Sequence, residues 1–340
     1  MRNLTLVIPG LLGPDAHYSD DFNPALESLE MLLARSIHKQ DQTPSYHRSL
    51  CELMGLDLDP GHDVPVAAIT RLIDDNAPSQ DVWMRADPVH LSADRDGLIL
   101  MDSFILRLSQ HDALAAATEV NKVLADYGWV VEVPFEDRWY IHLDEMPDLT
   151  TTELSMVVGR NINPYLPRGA GAARLHGIMN EIQMQLHASD LNQYRTGRGE
   201  LPVNSVWFWG VGQMPAESGQ QRWAAVYSED VFVRGLALKT GTPCFPLPLN
   251  IDTVIKDSGN NDSALIVLQH CQAPAQYQNL QLWHQALELL EQTWFAPVLD
   301  VIKQGDVRSL RIISGPHLFE TSWFGLKKVW RRSTSIGHYR

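Results

Sequence analysis

Apolar and polar positions alternate along this chain in two rhythms. Both ends carry short apolar runs between helical periods, and the middle carries paired strands around turn residues. Residues 4–9 (LTLVIP) are too few for a helix and are closed by Pro9-Gly10, which predicts a buried strand. Pro24 suits a first helical turn, and Leu26, Leu29, Leu32 and Leu33 recur behind it at helical spacing, so a helix is predicted there. Two further helical patterns, around 49–54 and 65–73, flank the turn-rich DLDPGHD.

From Asp81 the texture changes. DVWMRADPVHL and GLILMD are predicted strands around the turn at 94–97. A helix follows with Ser109 as its cap, Asp112 in its first turn and Gly128 as its stop. WVVEV and WYIHL complete a strand–strand–helix–strand–strand order, which predicts a compact α+β insertion. A loop at 159–171 leads into a helix over roughly 172–188. After Asn204 the order is strand SVWFW, strand WAAVY, helix from about Glu229 to Lys239, strand TPCFPL, strand ALIVLQ, a long helix from about Gln278, and strand SLRIIS. Apolar runs alternating with helices are what a parallel sheet covered on both faces produces.

A chain of 340 residues is long enough for two domains or one with an insertion. The formal charge of −14 argues against nucleic acid as a partner over the whole surface. Lys327, Lys328, Arg331, Arg332 and Arg340 make the end of the chain basic, which predicts a solvated helix end complementing its dipole. Cys51, Cys244 and Cys271 form no zinc or disulfide pattern, and the apolar run Leu4–Leu12 is too short and interrupted for a signal peptide or spanning helix. The expectation is a cytoplasmic protein with no membrane partner.

The most specific stretch is NQYRTGRGELPVNSVWFWGVG, in which Asn192, Arg195, Gly199, Pro202 and Asn204 precede an apolar run and a Gly210-Val211-Gly212 turn. It resembles the segment by which cofactor-independent phosphoglycerate mutases of the archaeal type re-enter their phosphatase-like core. PALESLEMLLA, WMRAD with DGLILMD, VYSEDVFVRGLALKTGTPCFPLP and LEQTWFAPVLD are similar to further family segments and occur in the same order. The resemblance implies an alkaline-phosphatase-like α/β core, with a largely parallel sheet covered by helices on both faces, over residues 1–79 and 200–340. An α+β cap domain with its re-entry segment would fill 80–199. The branch it looks closest to is a bacterial one of regulatory proteins connected with control of pathogenicity factors.

Family activity needs two divalent cations and a Ser or Thr nucleophile, because phosphoryl transfer is mostly charge neutralisation and in-line positioning. The resemblance puts Pro9-Gly10 where the family has Asp-Gly, and Tyr46, between Ser45 and Ser49, where it has the nucleophile. Asp102-Ser103-Phe104 stands in place of its Asp-Arg-Arg. HCQAPAQY (270–277) replaces Asp-Glu-x-x-His, and Ser314-Gly315-Pro316 replaces an Asp-His pair. The changes at Pro9, 270–277 and 314–316 remove carboxylate and imidazole donors that buried cations require.

The expectation is therefore a mutase-like protein without metal or other cofactor, acting as a regulatory or binding protein for a small anion or a protein partner. Arg85, Arg160, Arg168, Arg195 and Asn204 are the candidate ligand-binding residues, since guanidinium forks match phosphate and carboxylate. Capping and loop-tying is the structural alternative for Asn192, Arg195 and Asn204. The functional alternative is an active mutase or phosphatase holding Mn or Zn through rearranged ligands such as Asp15, Asp20, Asp21, His62 and His317. A new metal cluster from His270, Cys271, His284 and His317 lacks ligand-type spacing. A lipase-like hydrolase would need a G-x-S-x-G elbow, which is absent.

Overall fold

The computed structural model describes residues 2–14, 25–40, 45–75, 80–95, 97–216, 222–257, 263–328 and 330–339. The chain divides into two compact units, Met1–Gly55 with Glu217–Arg340, and Leu56–Ala216. The first unit supplies β1 (Arg2–Val7) and β2 (Ile37–Gln40). The second supplies β3 (Val82–Asp94), β4 (Gly97–Met101), β5 (Val131–Phe135), β6 (Arg138–Leu143) and β7 (Ser205–Gly212). The first then resumes with β8 (Ala225–Tyr227), β9 (Cys244–Phe245), β10 (Ser263–Val267), β11 (Val307–Ser314) and β12 (His317–Ser322).

In the first unit the sheet order is β2-β12-β11-β1-β10-β8-β9. β11, β1, β10, β8 and β9 pair in parallel, whereas β12 and β2 add an antiparallel edge. Leu4, Leu6, Ile266, Leu310 and Ile312 point to one face. There they meet Leu29, Leu32 and Leu33 of helix Glu27–Ala34, Trp283 and Leu287 of helix Leu280–Leu290, and Val298 and Ile302 of helix Ala296–Gln304. Each such side chain stabilises the fold by about 1.5–3 kcal/mol relative to exposure. The helix predicted from Pro24 is described from Glu27, and Pro24 itself lies outside the described residues. β2 and β12, which no apolar run announced, leave the other face solvated at this edge: Ile37 is 52% exposed, and the Lys39 and Arg311 side chains are exposed too. An antiparallel edge tolerates this because no crossover helix is needed to connect it.

The second unit is antiparallel throughout, ordered β4-β3-β6-β5 with β7 also pairing β3. Its helix Gln110–Leu124 starts where Ser109 accepts the Asp112 amide (3.1 Å) and is closed past a short 3-10 turn by Gly128 at φ +74°. β7 corrects the sequence expectation: SVWFW belongs to this sheet rather than to the parallel one. Every residue of β7 is buried, and a strand covered on both faces is an apolar run whichever way its neighbours point. Because β7 pairs with β3, and helix Val66–Asp74 packs on both, the unit boundaries fall after Gly55 and Ala216 rather than at 79/80 and 199/200. Gly210 takes φ +65°, and a Cβ there would lie 2.9 Å from Val66 Cβ, so the Gly-Val-Gly turn is set by close packing.

Candidate functional site

Open α/β sheets bind ligands beyond the carboxyl ends of their parallel strands. In the first unit these ends converge on Asp230, which follows β8 and caps helix Val231–Lys239 by accepting the Phe232 amide at 2.8 Å. Its other carboxylate oxygen accepts the Tyr46 hydroxyl at 2.7 Å and Gln269 Nε2 at 2.7 Å. Tyr46 opens helix Tyr46–Met54, whose cap Ser45 accepts the Arg48 amide at 3.2 Å. Burial first, and the Asp230 charge second, push the Tyr46 pKa well above its ordinary value, so the phenol is a neutral donor.

Beside this group β1 ends in Ile8-Pro9-Gly10. Gly10 sits at φ +76°, where a Cβ would lie 2.5 Å from the Cys271 carbonyl oxygen, and its own carbonyl accepts Trp283 Nε1 at 2.8 Å. Burial pushes the Cys271 thiol up to about 12, so it remains protonated. Partial burial lowers the His270 pKa. β11 ends in Ser314, Gly315 and Pro316.

A pair of divalent cations needs several deprotonated oxygen or nitrogen donors. Among the described residues the strand ends offer two carboxylates, Asp230, already holding three donors, and Glu229, which accepts the Leu247 amide at 3.0 Å, among a phenol, an amide, a protonated thiol and a proline; this set does not fit two cations. Of the rearranged ligands, Asp15, Asp20 and Asp21 lie outside the described residues. His62 pairs with Asp59 at 2.9 Å, and His317 Nδ1 meets His38 Nε2 at 3.0 Å. Among the described residues no group of three or more His, Cys, Asp or Glu could hold a metal ion.

On the sheet face lined by Thr5, beside helix Tyr46–Met54, lies a cavity of about 550 Å³. Ser49, Ser309, Arg222, Arg311 and His317 also contribute to its wall. Thr5 is only 3% exposed. Arg311 Nε donates to Glu320 (2.8 Å), and Arg222 donates to the Glu52 carbonyl (3.0 Å), so each guanidinium is oriented by one contact. Sequence pattern missed this cavity because its walls come from strands and a helix far apart in the chain.

The five candidate residues all lie in the second unit, each with its own partners. Arg85 is 4% exposed; its Nε and Nη2 fork onto Asp87 at 2.9 and 2.8 Å. Asp87 also accepts the Trp139 amide (3.1 Å) and Trp209 Nε1 (2.7 Å). Burial pulls the Arg85 pKa down, but the Asp87 charge, the Tyr140 phenol and the Asp87 hydrogen bonds together leave the net shift upward; burial raises Asp87. The spacing held this information: residues two apart on a strand share a face, so Arg85 and Asp87 were placed to pair.

Arg195, 1% exposed, donates to Asp112 (2.7 Å) and to the Leu106 and Leu201 carbonyls (both 2.9 Å). Asn204 pairs with both backbone groups of Leu91 at 2.7 and 2.9 Å. Asn192 likewise bonds Val203 N and O and Leu186 O at 2.7–2.9 Å. Arg160 and Arg168 are exposed, Arg168 donating to the Pro164 carbonyl at 2.8 Å. Arg195 and Asn204, with Asn192 beside them, tie the backbone of their own unit, whereas Arg85 holds the Asp87 side chain.

No family model matches this chain. It is 28% identical over 172 residues to a probable 2,3-bisphosphoglycerate-independent phosphoglycerate mutase of Geobacter sulfurreducens, covering 48% of this chain and 42% of the relative. A mutase of the same name from Methanothrix thermoacetophila is 33% identical over 69 residues, covering 20% of this chain and 18% of the relative. The chain thus spans less than half the length of these curated relatives. Among solved structures, the PH0037 protein from Pyrococcus horikoshii superposes with a TM-score of 0.52 at 13% identity, over 94% of this chain and 87% of that one. That likeness shows the fold alone, a mixed α/β one with a mostly parallel sheet. Over part of its length the chain is thus similar to curated proteins named 2,3-bisphosphoglycerate-independent phosphoglycerate mutase.

Proposed function

We propose that this protein is a phosphoglycerate-mutase-like binding protein in which two-metal phosphoryl transfer has been lost, and that it serves a regulatory role by holding a small anion. One observation carries the reading. Among the described residues where the parallel strands end, the Asp230 carboxylate is held by Tyr46, Gln269 and the Phe232 amide and Glu229 accepts the Leu247 amide, so these residues lack the charge that two divalent cations need. Ligand binding then moves to the cavity along the sheet face, where Arg222, Arg311 and the hydroxyls of Thr5, Ser49 and Ser309 match a phosphate or carboxylate. We place the protein in the cytoplasm. Its three cysteines are all thiols, and among the described residues no helix is long and apolar enough to cross a membrane.

The names of the curated relatives favour a second reading, an active mutase with its ligands rearranged. Metal analysis of protein purified without chelator, together with a 3-phosphoglycerate conversion assay in added Mn, separates the two. The binding-protein reading expects no stoichiometric metal, no turnover and a melting temperature indifferent to EDTA. Metal-dependent turnover would overturn it.

A further inference from the structure

The basic end of the first unit carries more than charge. After Glu320 the sequence holds no Asp or Glu, whereas Lys327, Lys328, Arg331, Arg332 and Arg340 follow, in a chain of formal charge −14. Interleaved with these cations are three large apolar side chains facing water: Trp323 at 36% exposure, Phe324 at 75% and Trp330 at 74%. The solvated-helix-end expectation does not account for them. Helix Trp323–Leu326 has four residues, too few for a dipole worth complementing, and the cations begin only after it ends.

The segment is fastened from beneath. Leu326 (6% exposed) and Ile336 (4%) sit in the first unit's core. Arg35 donates to the Leu326 carbonyl at 2.6 Å, and Arg331 donates to the Ser36 carbonyl at 2.7 Å. Gly325 leaves no room for a side chain, since a Cβ would lie 2.8 Å from Thr321 Oγ1. The rings are therefore held outward by an anchored backbone. Ile37, next to Ser36 and 52% exposed, adds apolar surface beside them.

We propose that Trp323–Arg332 docks this protein on an anionic phospholipid surface. Indole and phenyl rings flanked by Lys and Arg suit the headgroup boundary, where the ring enters the acyl edge and the cation stays with lipid phosphate. The ring geometry favours a bilayer over nucleic acid. Trp323 and Phe324 meet edge-on, 5.0 Å apart at 80°, so they offer no parallel faces for successive bases. One face of Trp323 is already covered by Lys327 Nζ at 3.3 Å. A bilayer needs neither parallel faces nor a track, only apolar bulk beside positive charge.

The test is co-sedimentation of the full chain with vesicles of phosphatidylcholine alone or mixed with phosphatidylglycerol. The expected result is binding to the mixed vesicles, little to the neutral ones, and release by salt. Each cation near an anionic surface multiplies partitioning about fivefold. The triple variant K327E/K328E/R332E, which spares the Arg331 anchor, is expected to lose it on the order of a hundredfold or more. The double variant F324S/W330S is expected to lose roughly tenfold or more at any salt concentration. Phe324, Lys327, Trp330 and Arg332 are exposed and Lys328 is half-buried, and an unchanged melting temperature in each variant verifies the fold. Equal binding to neutral vesicles, or vesicle binding unaffected by either variant, overturns the proposal. So does an oligonucleotide that binds F324S/W330S as tightly as the parent and displaces the parent from vesicles.

Discussion

The block from Asn192 to Gly212 and the carboxyl ends of the first unit's parallel strands make opposite use of polar side chains. In the block, Asn192 and Asn204 bond backbone through both their oxygen and their nitrogen, and Arg195 divides its donors between two backbone carbonyls and the Asp112 carboxylate, so residues that look like ligand holders are internal ties. At the strand ends, Pro9, Tyr46, Gln269, Cys271 and Ser314 look unremarkable in sequence, yet they occupy the place where open α/β sheets bind. A motif can persist because the fold needs it, since a buried amide or guanidinium without partners is costly to leave in place. Ligand chemistry can be replaced at far less cost to the fold when neutral groups fill the same space.

The sharpest way to break this comparison is Arg195→Met. It strands Asp112 (6% side-chain exposure) and the Leu106 and Leu201 carbonyls, and about 3–5 kcal/mol of stability should be lost in urea unfolding followed in the second unit. A loss below about 1 kcal/mol would mean that the guanidinium is not the tie described. Gly10→Ala comes next. The left-handed φ of +76° and the approach to the Cys271 carbonyl predict a loss of about 1–3 kcal/mol. Tyr46→Phe should cost about 1 kcal/mol, the net worth of one hydrogen bond, and should leave ligand binding in the cavity unchanged. Isothermal titration with inorganic phosphate checks the second half of that prediction.

A smaller effect tests the solvated edge. His38 and His317 meet head-on: their rings are within 11° of parallel, with centroids 5.2 Å apart and nitrogens 3.0 Å apart, so one proton lies between them. Burial lowers both pKa values, with His38 adding to the effect on His317. The unfolded imidazoles, titrating near their ordinary value of about 6.5, therefore bind more protons than the folded ones as pH falls through and below that value. Stability is fully present above it and declines on acidification. Burial alone would raise the pKa of Glu320, a neighbour on β12, but the Lys39 hydrogen bond and the Arg311 charge leave it lowered, so it stays ionised across that window. Melting temperatures from pH 7.5 down to about 5 should fall more steeply for the parent than for His38→Gln. Least of all, Arg168→Ala should change stability by under about 0.5 kcal/mol, because its exposed guanidinium donates to the Pro164 carbonyl of its own loop.

Much of the architecture was legible. Ser109, Asp112 and Gly128 bounded a helix correctly because caps and left-handed stops act within one turn of chain. Pro9-Gly10 ended β1, and the runs ALIVLQ and SLRIIS became β10 and β11. β2 and β12 were not legible. β2 is exposed at every residue and most of β12 is only partly buried, so neither carries an apolar run; β12 exists through pairing with β11, and β2 through pairing with β12 at the sheet edge.

By itself the sequence determined which segments form helices and strands, where most of them stop, and which family the chain resembles, because these depend on side-chain periodicity and on residues a few positions apart. Only the tertiary structure decided that β7 joins the antiparallel sheet, that Arg85 and Arg195 hold Asp87 and Asp112 within the protein, and that Tyr46 and Gln269 close over Asp230. The reason is physical. A donor's partner is set by whichever acceptor the fold brings within about 3 Å of it, and strand pairing is a choice among distant backbones that local pattern does not encode.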